Sequence, residues 1–128
     1  MWATISQAVG AFYAATVELS IADKVTTFTA SDFGRTLNSN GDGSDHGWGA
    51  HHLAVGGAVK GGDVYGAFPT VVLGGPEDVG RGNLLPTQSV VQYAATLASW
   101  FGVPASNQAT VVPGIESFSP DLGFMNAT

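Results

Sequence analysis

The chain has 128 residues, the size of one ordinary domain, and only 11% of them are charged, against about a quarter in a typical soluble chain. Ten acids stand against four bases (Lys24, Arg35, Lys60 and Arg81), a net charge of −6, so there is no basic footprint for nucleic acid or for an anionic membrane surface. No apolar run reaches the ~18 residues that a membrane-spanning helix needs, and the absence of Cys excludes a disulfide framework, a thiol nucleophile and a thiolate zinc site.

Met1 leads directly into Trp2-Ala3-Thr4-Ile5, without the basic segment and cleavage motif of a secretion signal. The chain is therefore expected to be a piece of a longer domain. Trp2, Ile5, Val9, Phe12, Thr16 and Leu19 recur at steps of three and four, which predicts an amphipathic helix over roughly Trp2–Ile21 with that face buried. Val25–Ala30 is β-branched and aromatic and reads as a strand buried on both faces of a sheet. A helix running into such a strand is half of a parallel α/β unit.

Ser31 to Gly49 is polar and glycine-rich and reads as a long loop at the carboxyl end of that strand, where α/β proteins place their sites. His51–Val59 reads as a second strand broken by Gly56-Gly57, Lys60–Asp63 as a turn, and Val64–Gly66 and Thr70–Leu73 as short extended pieces. Gly74–Asn83 is another loop. A second helix opens near Pro86, with Thr87 as the expected N-cap, and Gly102 lies where a helix terminates on a glycine. The tail 105–128 is expected to be irregular, docked through Ile115, Phe118, Leu122 and Phe124.

The candidate chemistry sits in the Ser31–Gly49 loop. Asp32, Asp42, Asp45 and His46 combine hard carboxylates with imidazole, a donor set suited to zinc, manganese or a similar divalent ion. His51 and His52 are adjacent on the expected strand and so point to opposite faces, which keeps them from sharing one ion. Asn38-x-Asn40-x-Asp42-Gly43 matches the first half of a calcium loop, but Gly49 stands where the bidentate Glu belongs. Gly56–Gly62 lacks the order of a phosphate-binding loop, and Ser31 lies in no nucleophile elbow. Asn126-Ala127-Thr128 has the form of a glycosylation sequon.

The motifs Ser31-Asp32-Phe33-Gly34-Arg35-Thr36 and Ser44-Asp45-His46-Gly47, the Gly56–Gly62 stretch and Leu85-Pro86-Thr87-Gln88-Ser89-Val90 together resemble the carboxy-terminal part of a bacterial family exported by the twin-arginine pathway. That family in turn resembles the alkaline phosphatase/sulfatase superfamily. The resemblance implies an α/β fold with a small, mostly parallel sheet and two main helices, part of an α/β/α sandwich with a bimetallic site at the carboxyl edge of the sheet. By position it implies Asp32 as a ligand of the second metal and His46 as a ligand of the first. Asp45 would orient His46 or bind metal itself, Asp42 is a further candidate ligand, and Arg35 stands where an anionic substrate would meet it. A histidine ligand ordinarily follows the strand-end carboxylate, and Phe33 stands there instead. The resemblance also implies a periplasmic or extracellular protein.

The nucleophile segment and an Asp-x-His segment of that superfamily are missing from this sequence. Three functions follow as alternatives. The first is the carboxy-terminal portion of a metal-dependent phosphatase- or sulfatase-like hydrolase, inactive in isolation. The second is a non-catalytic metal-binding or self-assembling structural module, and the third a calcium-stabilised surface domain. The expected partners are a second copy of the chain, as a homo-oligomer, or the missing amino-terminal part, with neither nucleic acid nor a membrane span.

Overall fold

A computed structural model describes residues 1–126; the last two positions of the sequon, Ala127 and Thr128, lie outside the described residues. Helix α1 spans Trp2–Glu18 and ends in a turn at Ala22–Lys24. Three consecutive segments then run as strands: β1 (Thr26–Phe28), β2 (Gly34–Ser39) and β3 (Ser44–Gly47). Strand β4 is Ala54–Gly56, α2 is Val90–Trp100, and a one-turn helix α3 covers Gln108–Val111.

The expected mostly parallel sheet does not form. Strands β1 and β4 pair antiparallel, with Thr26 opposite Gly56 and Phe28 opposite Ala54, and β2 and β3 make a separate antiparallel pair. The physical reason lies in the connection. Parallel neighbours are normally joined by a helical crossover. The stretch between β1 and β4 folds back on itself as a β-hairpin instead, and returns the chain in the opposite direction. Residues expected to form one long loop therefore make β2 and β3, and the strand predicted over His51–Val59 shrinks to three residues. Phe28 is half-exposed, so β1 is not buried on both faces as its composition predicted. The fold is of the mixed α/β class.

The hairpin turn is built by its own polar side chains. Asn40 Oδ1 accepts the Asp42 N–H at 3.2 Å, Ser39 Oγ accepts the Gly41 N–H at 3.2 Å, and Gly41 and Gly43 both take positive φ. Short Asn and Ser side chains commonly replace backbone partners in this way. The Thr36 hydroxyl, buried, accepts the Asp45 N–H at 3.2 Å and donates to the Asn38 carbonyl at 3.3 Å, which ties the two strands where their register slips.

Helix α2 carries the core. Its N-cap is Ser89, not Thr87: Ser89 Oγ accepts the Val91 N–H, and Gln92 Oε1 accepts the Ser89 N–H at 3.1 Å, a reciprocal capping box. Thr87 instead donates to the Ala67 carbonyl at 2.8 Å. The helix ends at Phe101, and Gly102 follows in the left-handed region at φ +103°, where a side chain would be strained. One side of α2 packs Tyr93, Leu97 and Trp100 against Ala58, Phe124 and Met125. The other packs Val91, Ala94 and Ala98 with Ala95, Val112 and Ile115. The carboxy-terminal segment reaches this core through backbone bonds, from Lys60 N–H to Phe124 O and from Asn126 N–H to Ala58 O, each 2.8 Å. Ile115 and Phe124 are buried, Leu122 is half-buried and Phe118 exposed.

The core is small for the length. Beyond the six buried apolar residues Ala58, Ala95, Val112, Ile115, Phe124 and Met125, most large apolar side chains stay exposed. The accessible surface is 8490 Å². A compact monomer of this chain length exposes about 6,300 Å². Helix α1 shares in it: the helix buries only Thr16, while Trp2 is 72% and Phe12 52% exposed.

Candidate functional site

Strand β1 ends beside the start of β2, and the segment before β4 runs past both. Between them lies an open cleft of about 420 Å³. Its walls come from Thr29–Ser31 after β1, Phe33–Arg35 entering β2, Gly49–Leu53 before β4, and Trp2 from the start of α1. The close approach of Gly34 to Gly49 shapes the floor, because any Cβ on Gly34 would overlap the Gly49 carbonyl oxygen.

Arg35 stands opposite His46 across the β2–β3 pair. One guanidinium nitrogen, Nη1, donates to the Ser44 carbonyl at 2.8 Å, and the guanidinium carbon lies 5.2 Å from the centre of the Phe33 ring. Phe33 in turn stacks on the His46 ring, centroids 3.6 Å apart and planes 14° from parallel. Phe33 thus becomes the platform for His46. This stack also sets His46 against the segment that carries Asp32. Asp32 itself is exposed in the turn between β1 and β2.

Asp45 is already engaged. Its Oδ2 pairs with Arg81 at 3.1 Å and its Oδ1 accepts from Asn40 Nδ2 at 2.9 Å. The Arg81 contact is exposed at both ends and stabilises little by itself, but it ties the Gly74–Asn83 loop to the hairpin. That loop is wrapped around Asp78, whose carboxylate accepts the N–H groups of Gly74 (2.8 Å), Gly80 (2.8 Å) and Gly82 (3.0 Å). These bonds, that of Gly74 foremost, hold the Asp78 carboxyl below the usual carboxylate value, with partial desolvation acting the other way. Asp42 sits exposed in the hairpin turn with Asn40 while Asn38 lies in β2, so the positions read as half a calcium loop are divided between a strand and the tight turn that follows it.

The histidines that sequence spacing set aside are part of the cleft. Strand β4 begins only at Ala54, so the alternation that would separate His51 from His52 does not apply to them. His51 stacks on Phe68, centroids 4.6 Å apart, and His52 stacks on Tyr93 at 5.4 Å, with His52 Nδ1 3.3 Å from the Thr29 hydroxyl. The Tyr93 hydroxyl donates to the carbonyls of Thr29 (3.3 Å) and Leu53 (3.4 Å), and burial pushes its phenol above the usual value. Helix α2 therefore supports one wall of the cleft from behind.

A divalent ion needs several donors brought together. Among the described residues no three His, Asp or Glu side chains come close enough to hold one together. Asp45 spends both oxygens on Arg81 and Asn40, and Asp32 and His46 supply two donors at most. A two-donor set falls short of zinc, which takes at least three protein ligands in its sites.

A mixed α/β chain with its polar motifs gathered at one end of a short strand pair is the class these features define. Residues 2–80, more than half of the chain, match the family described as a protein of unknown function, DUF1501, and the chain belongs to that family. No curated protein and no solved structure matches it. The matched span ends within the Asp78 loop, so it takes in α1, all four strands, Asp32, Arg35, Asp45 and His46. No helix among the described residues is long and apolar enough to cross a membrane.

Proposed function

We propose that the chain is one portion of a metal-dependent phosphatase- or sulfatase-like hydrolase, inert by itself and completed by association. The observation that carries this reading is a half-made site. Arg35 and His46 face each other across β2 and β3, Asp32 lies one residue from the Phe33 platform, and the remaining donors are engaged or distant. Zinc or manganese at Asp32 and His46 would need further ligands from another segment or another chain. The resemblance that suggests the chemistry also suggests an address in the periplasm or outside the cell. Calcium at Asn38–Asp42 is the less supported alternative, because Asn40 spends its side chain on the turn and on Asp45.

A second reading, a self-assembling module without catalysis, draws on the bare helix α1. A helix that is apolar around most of its circumference is normally covered on most of it. The surplus of surface is of the order that one partner buries in an obligate interface, roughly 1,000–2,500 Å². A homo-oligomer in which α1 packs on its neighbour, with Trp2 and Phe12 in the contact, would cover that face.

Two measurements on the pure chain test these readings. Hydrolysis of aryl phosphate and aryl sulfate, assayed with zinc or manganese supplied, is expected to be absent. Metal-dependent turnover that disappears in Asp32→Ala would overturn the claim that the chain is inert alone. Light scattering is expected to show an oligomer at micromolar concentration, and a stable monomer there would sink the assembly half of the proposal.

A further inference from the structure

We infer that Thr29 and His52 form a nucleophile–base pair that takes the acyl group from small carboxylic esters without a metal. This goes beyond the phosphatase- or sulfatase-like reading and uses none of its residues. Thr29 follows β1 directly, and His52 lies two residues before β4. The antiparallel register of the two strands continues past their ends, where the Thr29 N–H donates to the Leu53 carbonyl at 2.9 Å. Thr29 and His52 thereby meet on one wall of the cleft, with Thr29 Oγ 3.3 Å from His52 Nδ1.

The hydrogen bonds around Thr29 assign the roles. A hydroxyl has one proton to give and lone pairs to receive. The Leu53 N–H donates to Thr29 Oγ at 2.9 Å and so occupies a lone pair. The Thr29 proton is left with His52 Nδ1, the one acceptor within its reach among the described residues. Neutral His52 then carries its own proton on Nε2 and keeps Nδ1 as the base. The Leu53 N–H also favours the negative charge that builds on Oγ as the proton leaves. The His52 ring lies against Tyr93, 17° from parallel, and the Tyr93 hydroxyl donates to the carbonyls of both Thr29 and Leu53. Both halves of the pair therefore share one support on α2. Thr29 is exposed and His52 half-buried, so an ester can reach the oxygen while the base stays fixed. Ala30, Ala50 and Leu53 line the same cleft, an apolar surface suited to a small neutral ester.

In the first step Thr29 Oγ bonds to the ester carbonyl carbon while Nδ1 takes the hydroxyl proton. The carbon–oxygen bond to the alcohol breaks, the alcohol leaves with that proton, and the acyl group remains on Thr29. Water then attacks the acyl carbon and gives a proton to Nδ1. The acid departs as the proton passes back to Oγ, which restores the pair.

The probe is para-nitrophenyl acetate, offered to the pure chain in the presence of EDTA. Release of nitrophenol is expected, with the acetyl group mapped to Thr29 by peptide mass spectrometry. His52→Gln should slow acetylation of Thr29 by about a hundredfold. Thr29→Ser should keep the reaction, and Lys24→Gln should leave it unchanged. In urea, with the strand pair opened, acetylation of Thr29 should cease; this measurement and the wild-type map need no variant to fold. Acetyl groups on His52 or lysine alone, equal acetylation of Thr29 in His52→Gln, persistence in urea or a requirement for zinc would each overturn the inference. Phosphate and sulfate esters test the hydrolase reading and this ester tests the pair, so each can fail alone.

Discussion

Helix α2, with 11 residues, buries Ala95 and Thr96 and flanks them with half-buried neighbours; helix α1, with 17, buries Thr16 alone. Both are apolar, and both show helical periodicity in the sequence. They differ in what the rest of the chain brings to them. The segment from Gln108 to Met125 wraps α2, placing Val112 and Ile115 on one side and Phe124 and Met125 on the other. Among the described residues the main element packed on α1 is the turn that follows it, and Trp2 lines the cleft. The ends differ in the same sense. α2 begins in a capping box, whereas α1 begins at Met1 with no side-chain cap, no acid in its first turn and no base in its last. Periodicity thus tells which face of a helix seeks cover; only distant segments decide whether cover arrives.

Core substitution should separate the two regions most sharply. Phe124→Ala removes a buried ring from the cluster that joins α2, β4 and the carboxy-terminal segment, and should cost about 3–5 kcal/mol. Phe12→Ala removes a ring already half in water and should cost less than about 1 kcal/mol at concentrations where the chain is dissociated. Urea unfolding of both variants measures the difference. Comparable losses would mean that α1 is packed as tightly as α2 in solution.

The next effect is at the helix ends. Ser89→Ala breaks the capping box and should destabilise the chain by about 1 kcal/mol, with a smaller loss for Gln92→Ala. At the uncapped end, Ala3→Asp places an acid in the first turn of α1, where the free N–H groups favour negative charge, and should gain about 0.3–0.5 kcal/mol. Thermal unfolding monitored by circular dichroism checks both signs. A silent Ser89→Ala would remove the cap from the account of α2.

The comparison also explains what the sequence disclosed. Both helices were legible because a 3.6-residue apolar repeat and a terminal glycine such as Gly102 are local signals. The hairpin β2–β3 was hidden. Arg35-Thr36-Leu37-Asn38-Ser39 has no apolar alternation, and its pairing rests on side-chain bonds of Thr36, Asn40 and Asp45 that no pattern announces. Strand direction was equally illegible, since a β-branched run such as Val25–Ala30 suits either orientation and only the path of the connection decides. Within the site, Arg35 and His46 were singled out from motifs and do face each other, while His51 and His52 were set aside by an alternation that requires a strand they do not occupy. Trp2 joins the cleft across a distance in sequence that no local reading spans.

The smallest predicted effect concerns the Gly74–Asn83 loop, a third region that makes up for its lack of apolar packing with a charged hub. Three backbone N–H groups converge on the Asp78 carboxylate, and they hold its folded value below that of the unfolded chain. A lowered carboxylate value means that the unfolded chain takes up the proton first as the solution is acidified. The contribution of Asp78 is therefore complete above the ordinary carboxylate range and is lost as pH falls through the lowered value. Asp78→Asn keeps the shape but not the charge, and its amide group opposes at least one of the glycine donors. The variant should be slightly less stable than the parent at neutral pH, and its stability should fall less steeply below about pH 4. Urea midpoints measured across the acid range test this. Parallel curves for the two proteins would show that the hub forms without the charge, and that the loop is held by Arg81–Asp45 and the Leu37 N–H bond to Gly82 instead.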